Sequence, residues 1–169
     1  MLFELIATLC AGLFAGAAIY INLVEHPARL ECGTLMAATV FGPSYRRAAI
    51  MQASLAAFGL ISSIVAYVQE RGSVVLIAGL LLGAVIPFTL LVIMPTNKRL
   101  LDSALERGSS EAAELLHRWG QLHAVRSLAG TVAFGLLLWH LGHPPQGSFH
   151  FRLETSSAHS HSAHNLSHA

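Results

Sequence analysis

Apolar stretches of membrane length alternate with short polar segments along the chain. Each stretch predicts one transmembrane helix, because a helical span needs roughly 20 residues. The alternating polar and apolar pattern that is typical of a membrane β-strand does not appear. The predicted spans lie at about 2–24, 48–68, 74–94 and 123–141. Between the last two, residues 98–107 predict a helical continuation that Gly108 ends, and Ser109 or Ser110 can cap a new helix that runs into the last span. The pattern therefore predicts an all-α fold, a four-helix transmembrane bundle.

Composition supports an integral membrane protein. The chain is 54% hydrophobic and 11% charged, whereas a soluble domain has about 25% charged residues. A formal net charge of +1 indicates no nucleic-acid surface. The lipid bilayer is thus the expected partner. Glycine pairs at 12/16 and 79/83 have the spacing that favours close helix packing, and oligomerisation is left open.

The chain divides into two parts. Residues 1–143 are interpreted as a four-span transmembrane helical domain. From Pro144 onward the sequence becomes polar and rich in His and Ser, so residues 144–169 are predicted to form a disordered tail.

Lys and Arg are distributed unequally between the two sides of the predicted bundle. Eight lie near one set of span ends and two near the other. Because basic residues concentrate on the cytoplasmic side, we predict that both termini lie on the non-cytoplasmic side. The eight are Arg29, Arg46, Arg47, Lys98, Arg99, Arg107, Arg118 and Arg126; the two are Arg71 and Arg152.

Three polar clusters lie where apolar stretches begin or end. They span residues 22–29, 95–97 and 119–126, and the order of the spans puts all of them on the predicted cytoplasmic side. Polar groups that border hydrocarbon are costly and tend to face a bundle interior. The clusters therefore predict a pocket on one side of the membrane.

Two histidines and two arginines in these clusters could carry chemistry. His26 and His123 could act as a general base or bind a metal, or each could be a polar residue at a helix end. Arg29 and Arg126 could bind a developing oxyanion, or extend towards lipid headgroups.

Other residues of the clusters are candidates for substrate binding. Trp119 could stack on an aromatic ligand or belong to the interfacial aromatic belt. Asn97 could donate to a ligand oxygen or end its helix. Glu25 could form a surface ion pair with Arg29. The complete candidate set for substrate binding is Asn97, Trp119, Asn22, Tyr45 and Glu25.

The same clusters resemble motifs of the anthrone oxygenase-like family of small membrane proteins. Four motifs occur in the family's order, and the resemblance covers about residues 5–142. Its fungal members oxidise anthrones to anthraquinones with dioxygen and no evident prosthetic group, whereas bacterial members have no assigned substrate. The motifs are residues 24–29, 43–48, 95–100 and 118–126.

The resemblance implies a mechanism that needs dioxygen as co-substrate and no cofactor, while the binding of a metal is left open. His123 would be the base, with His26 as second choice, and Arg126 and Arg29 would stabilise the oxyanion. Asn97 would bind the substrate carbonyl. The expected substrate is a small hydrophobic aromatic compound, and the expected location is the bacterial inner membrane.

Two other classes of function stay open from sequence. In the first, the protein is a metal or haem carrier with His26 and His123 as ligands, although acidic or thiolate co-ligands at matching depth are missing. In the second, the protein is a non-enzymatic accessory subunit of a membrane complex, which the short helices and glycine pairs favour.

Overall fold

A computed structural model describes residues 1–70 and 72–143, apart from the side chain of Glu70. The predicted tail at 144–169 lies outside the described residues. Two short π-helical segments, Ile21–Glu25 and Thr89–Ile93, each join two α-helices end to end. No strand occurs in the described ranges. The α-helices are α1 (Leu2–Tyr20), α2 (His26–Glu31), α3 (Thr34–Glu70), α4 (Ser73–Phe88), α5 (Met94–Leu100) and α6 (Ser110–Gly142).

These helices form four membrane-length spans within the described residues, which confirms the all-α, four-span prediction. Span 1 is Leu2–Glu31, span 2 is Thr34–Gln69, span 3 is Ser73–Leu100 and span 4 is Ser110–Gly142. Each is longer than the apolar stretch that predicted it, because the helix continues past the hydrocarbon into its polar ends. The chain is a multi-pass membrane protein; its orientation stays a prediction.

The spans are arranged as a ring in which consecutive helices are antiparallel. Span 1 packs mainly against spans 2 and 4, and span 3 packs against the same two. At one end of the bundle, the buried carboxylate of Glu4 lies 2.9 Å from His140 Nε2. At the other end, Asn22 reaches across to Gly120. Spans 1 and 4 are therefore in contact along their whole shared length.

The π-helical segments carry spans 1 and 3 past a proline. Pro27 and Pro95 lie two residues after the ends of these segments, in the first turn of α2 and α5. Within the π-helical segments the hydrogen bond reaches back five residues, as from His26 N–H to the carbonyl of Ile21. Proline has no N–H to donate, so the wider turn lets the helix continue without that bond. Such π-helical turns occur frequently at functional sites.

Two connections show how local chemistry ends a helix. Gly33 has a φ of 87°, a left-handed conformation that glycine adopts without steric cost, and it turns the chain from span 1 into span 2. The sequence predicted a helix over 98–107, which is wrong beyond Leu100. There Asp102 Oδ1 accepts from the N–H of Ala104 at 2.9 Å and competes with helical hydrogen bonding.

The predicted start of the last helix is confirmed. Ser109 caps α6, because its side chain accepts from the N–H of Ala112 at 3.2 Å. The helix then runs unbroken to Gly142. Trp119, His123 and Arg126 consequently lie one above another on one face of span 4.

Candidate functional site

Trp119 is the centre of an aromatic cluster at the end of the bundle that holds α2. Its indole stacks on His123 with 4.8 Å between ring centroids, and His26 contacts it at 5.2 Å. Phe41 meets it edge-on at 5.3 Å. A methyl group added at Gly120 would lie 2.7 Å from His26 Nε2. Gly120 is therefore what allows the His26 ring to approach span 4.

The hydrogen bonds around His123 define which nitrogen carries its proton. Asn22 Nδ2 donates to the carbonyl of Gly120 at 3.2 Å, which identifies the other amide atom, Oδ1, as the oxygen that accepts hydrogen bonds. Ser127 Oγ donates to that oxygen at 2.5 Å. His123 Nδ1 lies 2.6 Å from the same oxygen, and only a protonated nitrogen can bond to it. His123 Nε2 is therefore left with the lone pair.

A narrow cavity lies between spans 1, 2 and 4 beside this network. The centre of a water molecule can reach about 20 Å³ of it, which is room for one or two waters at about 10–15 Å³ each. Its walls combine aromatic rings with polar groups. They are formed by Ile21, Arg29, Phe41, Ser44, Tyr45, Ala48, Ala49, Gln52, Trp119, His123 and Arg126.

Each arginine of the cavity contacts one polar side chain through its Nη2. The partner of Arg126 is a neutral amide, and the partner of Arg29 is a carboxylate. Arg126 Nη2 donates to Gln52 Oε1 at 2.8 Å, and its guanidinium lies over the ring of Phe14 at 5.6 Å. Arg29 Nη2 lies 3.3 Å from Glu25 Oε1. The Nε of each arginine is buried, and neither has a hydrogen-bond partner within the described ranges.

The structure brings most of the predicted site residues together. Five of the nine line the cavity, namely His123, Arg126, Arg29, Trp119 and Tyr45. Three contact those five from outside the lining. His26 touches Trp119, Asn22 bonds to His123, and Glu25 pairs with Arg29. The chemical role of each residue stays a prediction.

Asn97 lies apart from the cavity. Its neighbours in span 3, Ile93 and Leu100, belong to the same hydrophobic cluster as Trp119, so Asn97 is at the predicted end of the bundle. Its side chain is 0% exposed, and its amide has no hydrogen-bond partner among the described residues. It is absent from the cavity walls, and the geometry therefore gives no support for contact with a ligand there.

Sequence reasoning missed three polar residues of the site. Gln52 lines the cavity and holds Arg126, Ser127 bonds to Asn22, and Ser44 donates to Glu25 at 2.7 Å. Gln52 gave a usable signal, because a glutamine inside an apolar span is costly unless it has a partner. The two serines gave none, since serine also packs in helix interfaces as a small residue.

Among the described residues, His26 and His123 do not form a metal site together with other typical ligands. Both rings pack on the Trp119 indole. Within residues 1–70 and 72–143, no group of three or more His, Cys, Asp and Glu side chains is close enough to hold one ion. The fold and the geometry thus define a small multi-pass membrane protein with a histidine and two arginines on one narrow cavity.

The family of this protein follows from its sequence match. The chain belongs to the anthrone oxygenase family, whose model matches residues 37–136. The matched region holds the cavity residues of spans 2 and 4, whereas the cluster at 22–29 precedes it. No curated protein and no solved structure matches the chain.

Proposed function

We propose that this protein oxidises a small, flat aromatic compound of the anthrone type with dioxygen, in the cavity beside His123. One observation carries the proposal. The hydrogen bond from His123 Nδ1 to Asn22 leaves a lone pair on Nε2, and two arginines line the same cavity. A base and an oxyanion-binding group in one water-poor site are what is required to remove a proton from a carbon whose anion is delocalised onto a carbonyl oxygen. Membership of the anthrone oxygenase family supports this choice of substrate class.

The reaction begins with transfer of one methylene proton of the anthrone to His123 Nε2. The electron pair that remains is delocalised onto the carbonyl oxygen, where Arg126 and Arg29 would stabilise the negative charge. This electron-rich anion reduces dioxygen. One oxygen atom then becomes the new carbonyl at the former methylene carbon, and the second leaves as water with the two methylene hydrogens. One dioxygen is consumed and one water formed for each anthraquinone.

Two neighbouring residues would orient these groups. Asn22 keeps the His123 ring in the tautomer with a basic Nε2, and Glu25 holds one edge of Arg29. Trp119 offers a flat wall against which aromatic rings would stack. Dioxygen and the substrate both dissolve in lipid, so both can reach the site through the bilayer.

Substrate binding requires the cavity to widen. A tricyclic ring system is much larger than the one or two waters that the cavity can hold. A groove on the outer face of span 2, lined by Val40, Pro43, Ser44, Arg47, Ala48 and Met51, shares Ser44 and Ala48 with the cavity. We infer that the substrate enters from this groove.

The proposal is tested by replacing the base. We expect His123→Ala to slow oxygen uptake with an anthrone by about 10²- to 10⁴-fold, which is the range that a positioned general base contributes. His117→Ala is the matched control, because His117 is exposed on the same helix and should leave the rate unchanged. Oxygen consumption and anthraquinone absorbance report the reaction. Equal rates for the two variants would exclude His123 as the base, and no uptake by the native chain would reject the activity.

A further inference from the structure

Gln52 is a buried residue of span 2 whose amide oxygen is hydrogen-bonded and whose amide nitrogen is not, within the described segments. Its side chain is 1% exposed and lines the cavity. Its Oε1 accepts from Arg126 Nη2 at 2.8 Å. Because arginine can only donate, this contact also determines which end of the amide is the oxygen. Gln52 Nε2 is therefore the free end, and it is buried with no hydrogen-bond partner in the described part of the chain.

Among the described residues, the cavity has an excess of buried donors that no acceptor satisfies. Besides Gln52 Nε2, the Nε of Arg29 and of Arg126 is buried with no partner in the described ranges. Within residues 1–70 and 72–143, no carboxylate is among the cavity walls, and nearby Glu25 is already engaged by Arg29 and Ser44. A buried donor without an acceptor is costly. The excess therefore points to a ligand that brings acceptor oxygens.

We propose that Gln52 and Arg126 together bind an oxygen atom of the ligand, so that Gln52 selects flat aromatic compounds with a carbonyl or ionised phenolic oxygen over the bare hydrocarbon. The inference rests on the cavity of the proposed function but not on the oxidation itself. Gln52 would then have the role that the sequence suggested for Asn97, which is not in the cavity walls.

This arrangement also fits the proposed reaction. When a proton leaves the methylene of an anthrone, negative charge moves to the carbonyl oxygen at the opposite side of the central ring. A neutral amide N–H and a guanidinium at that oxygen bind more strongly as the charge develops. Gln52 would thus be a specificity-determining residue in binding, and it would also contribute to the rate.

The test compares two flat tricyclic ligands with the same carbon skeleton, one with oxygen atoms and one without. Anthraquinone has two carbonyl oxygens, whereas anthracene has the same rings and none. Binding is followed by quenching of Trp119 fluorescence in a Trp139→Phe background, because the chain has two tryptophans and Trp139 stacks on His143 away from the cavity. We expect Gln52→Leu to weaken anthraquinone binding about 10- to 100-fold, the effect of losing hydrogen bonds to a buried oxygen. Anthracene binding should change little.

Two further variants separate this effect from loss of folding. Ser54→Leu makes a similar polar-to-apolar change on the exposed face of the same span and should leave both affinities unchanged. Gln52→Glu keeps the size of the side chain but replaces the donor by a carboxylate that repels the ligand oxygen, so it should weaken anthraquinone as Gln52→Leu does. Equal weakening of both ligands by Gln52→Leu, or unchanged anthraquinone binding, would overturn the inference.

The outcomes also distinguish this inference from the proposed function. Anthraquinone cannot be oxidised as an anthrone is, so its binding is independent of turnover. Binding that depends on Gln52 in a protein that consumes no oxygen would support the inference and reject the oxygenase. Oxygen uptake with unchanged kcat and KM in Gln52→Leu would reject the inference and support the oxygenase.

Discussion

At the scale of single residues, Asn22 decides the chemistry available to His123. Its Oδ1 accepts from both His123 and Ser127, and its Nδ2 donates to the carbonyl of Gly120. This network leaves Asn22 no freedom to rotate its amide. The imidazole is therefore held in one tautomer by a residue that does not itself line the cavity.

We expect Asn22→Ala to lower kcat/KM by about 10²-fold or more, the lower end of what a positioned base contributes. Without the acceptor, His123 loses the contact that keeps its proton on Nδ1, and the buried donors left behind cost about 1–3 kcal/mol of stability. Asn22→Asp keeps an acceptor oxygen at the same place and should retain more activity, although it also loses the bond to Gly120. Rates of oxygen uptake and ¹⁵N shifts of the His123 ring measure the two effects. Equal losses in both variants would contradict this role of Asn22.

The same residues show what sequence can and cannot give at this scale. His123, Arg126 and Trp119 could be grouped in advance, because their spacing on one helix fixes their common face. The hydrogen bond between Asn22 and His123 could not be predicted, since the two residues are 101 positions apart in the chain and lie on different spans. Gln52 and Asn97 show the remaining difficulty. Both are buried amides in apolar spans, and only the packing of the helices decides which one lines the cavity.

At the scale of helices, span 2 separates the cavity from the surface of the bundle. Ser44 and Ala48 face both the cavity and the outer groove. Pro43 lies one residue before Ser44 inside α3 and removes a backbone hydrogen bond to the preceding turn. This part of the helix consequently lacks one restraint on local opening.

We expect Ala48→Phe to lower kcat/KM by about tenfold or more while kcat at saturating substrate changes less. The larger ring would fill the space between groove and cavity, and overpacking of this kind costs about 1–3 kcal/mol. Ala53→Phe is the matched control, because Ala53 is exposed on the same helix and does not line either space. Oxygen-uptake kinetics would show the difference, after size-exclusion chromatography has established that both variants fold. Unchanged kcat/KM in Ala48→Phe would exclude this route of entry.

The sequence predicted the number and positions of the spans better than it predicted where each helix begins and ends. The four apolar stretches predicted the spans because burial in hydrocarbon requires about 20 apolar residues in each. The polar extensions of spans 2 and 4 carry no such signal, so their starts at Thr34 and Ser110 could not be placed from hydropathy alone. The cap at Ser109 could be predicted because capping depends on adjacent residues. The π-helical turns could not, since they depend on how each helix packs beyond its proline.

At the scale of the whole molecule, the two ends of the bundle differ in chemistry. The end with the cavity holds the arginine pair and the aromatic cluster. The opposite end holds Glu4 and His140, which are both buried and 2.9 Å apart. Breaking such a buried pair by removing one partner is strongly destabilising in other proteins. Spans 1 and 4 are thus joined by polar contacts at both ends, and this holds the His123 face of span 4 against span 1.

The orientation of the bundle determines which side of the membrane the cavity end faces. The excess of Lys and Arg predicts that the cavity end faces the cytoplasm. Cys32 reports on this end, because it is exposed and lies between spans 1 and 2. In a Cys10→Ala background in a bacterial inner membrane, we expect a membrane-impermeant maleimide to label Cys32 in inverted vesicles but not in intact spheroplasts.

A reciprocal variant makes the labelling experiment decisive. Ser73 lies at the start of span 3, at the opposite end of the bundle, and is exposed. A variant that lacks Cys10 and Cys32 and carries Ser73→Cys should therefore be labelled in spheroplasts and not in inverted vesicles. The opposite result for both positions would show that the bundle has the reverse orientation, with the cavity on the non-cytoplasmic side. The chemistry proposed for His123 would be unaffected by that outcome, because it depends on the packing of spans 1, 2 and 4 and not on the side they face.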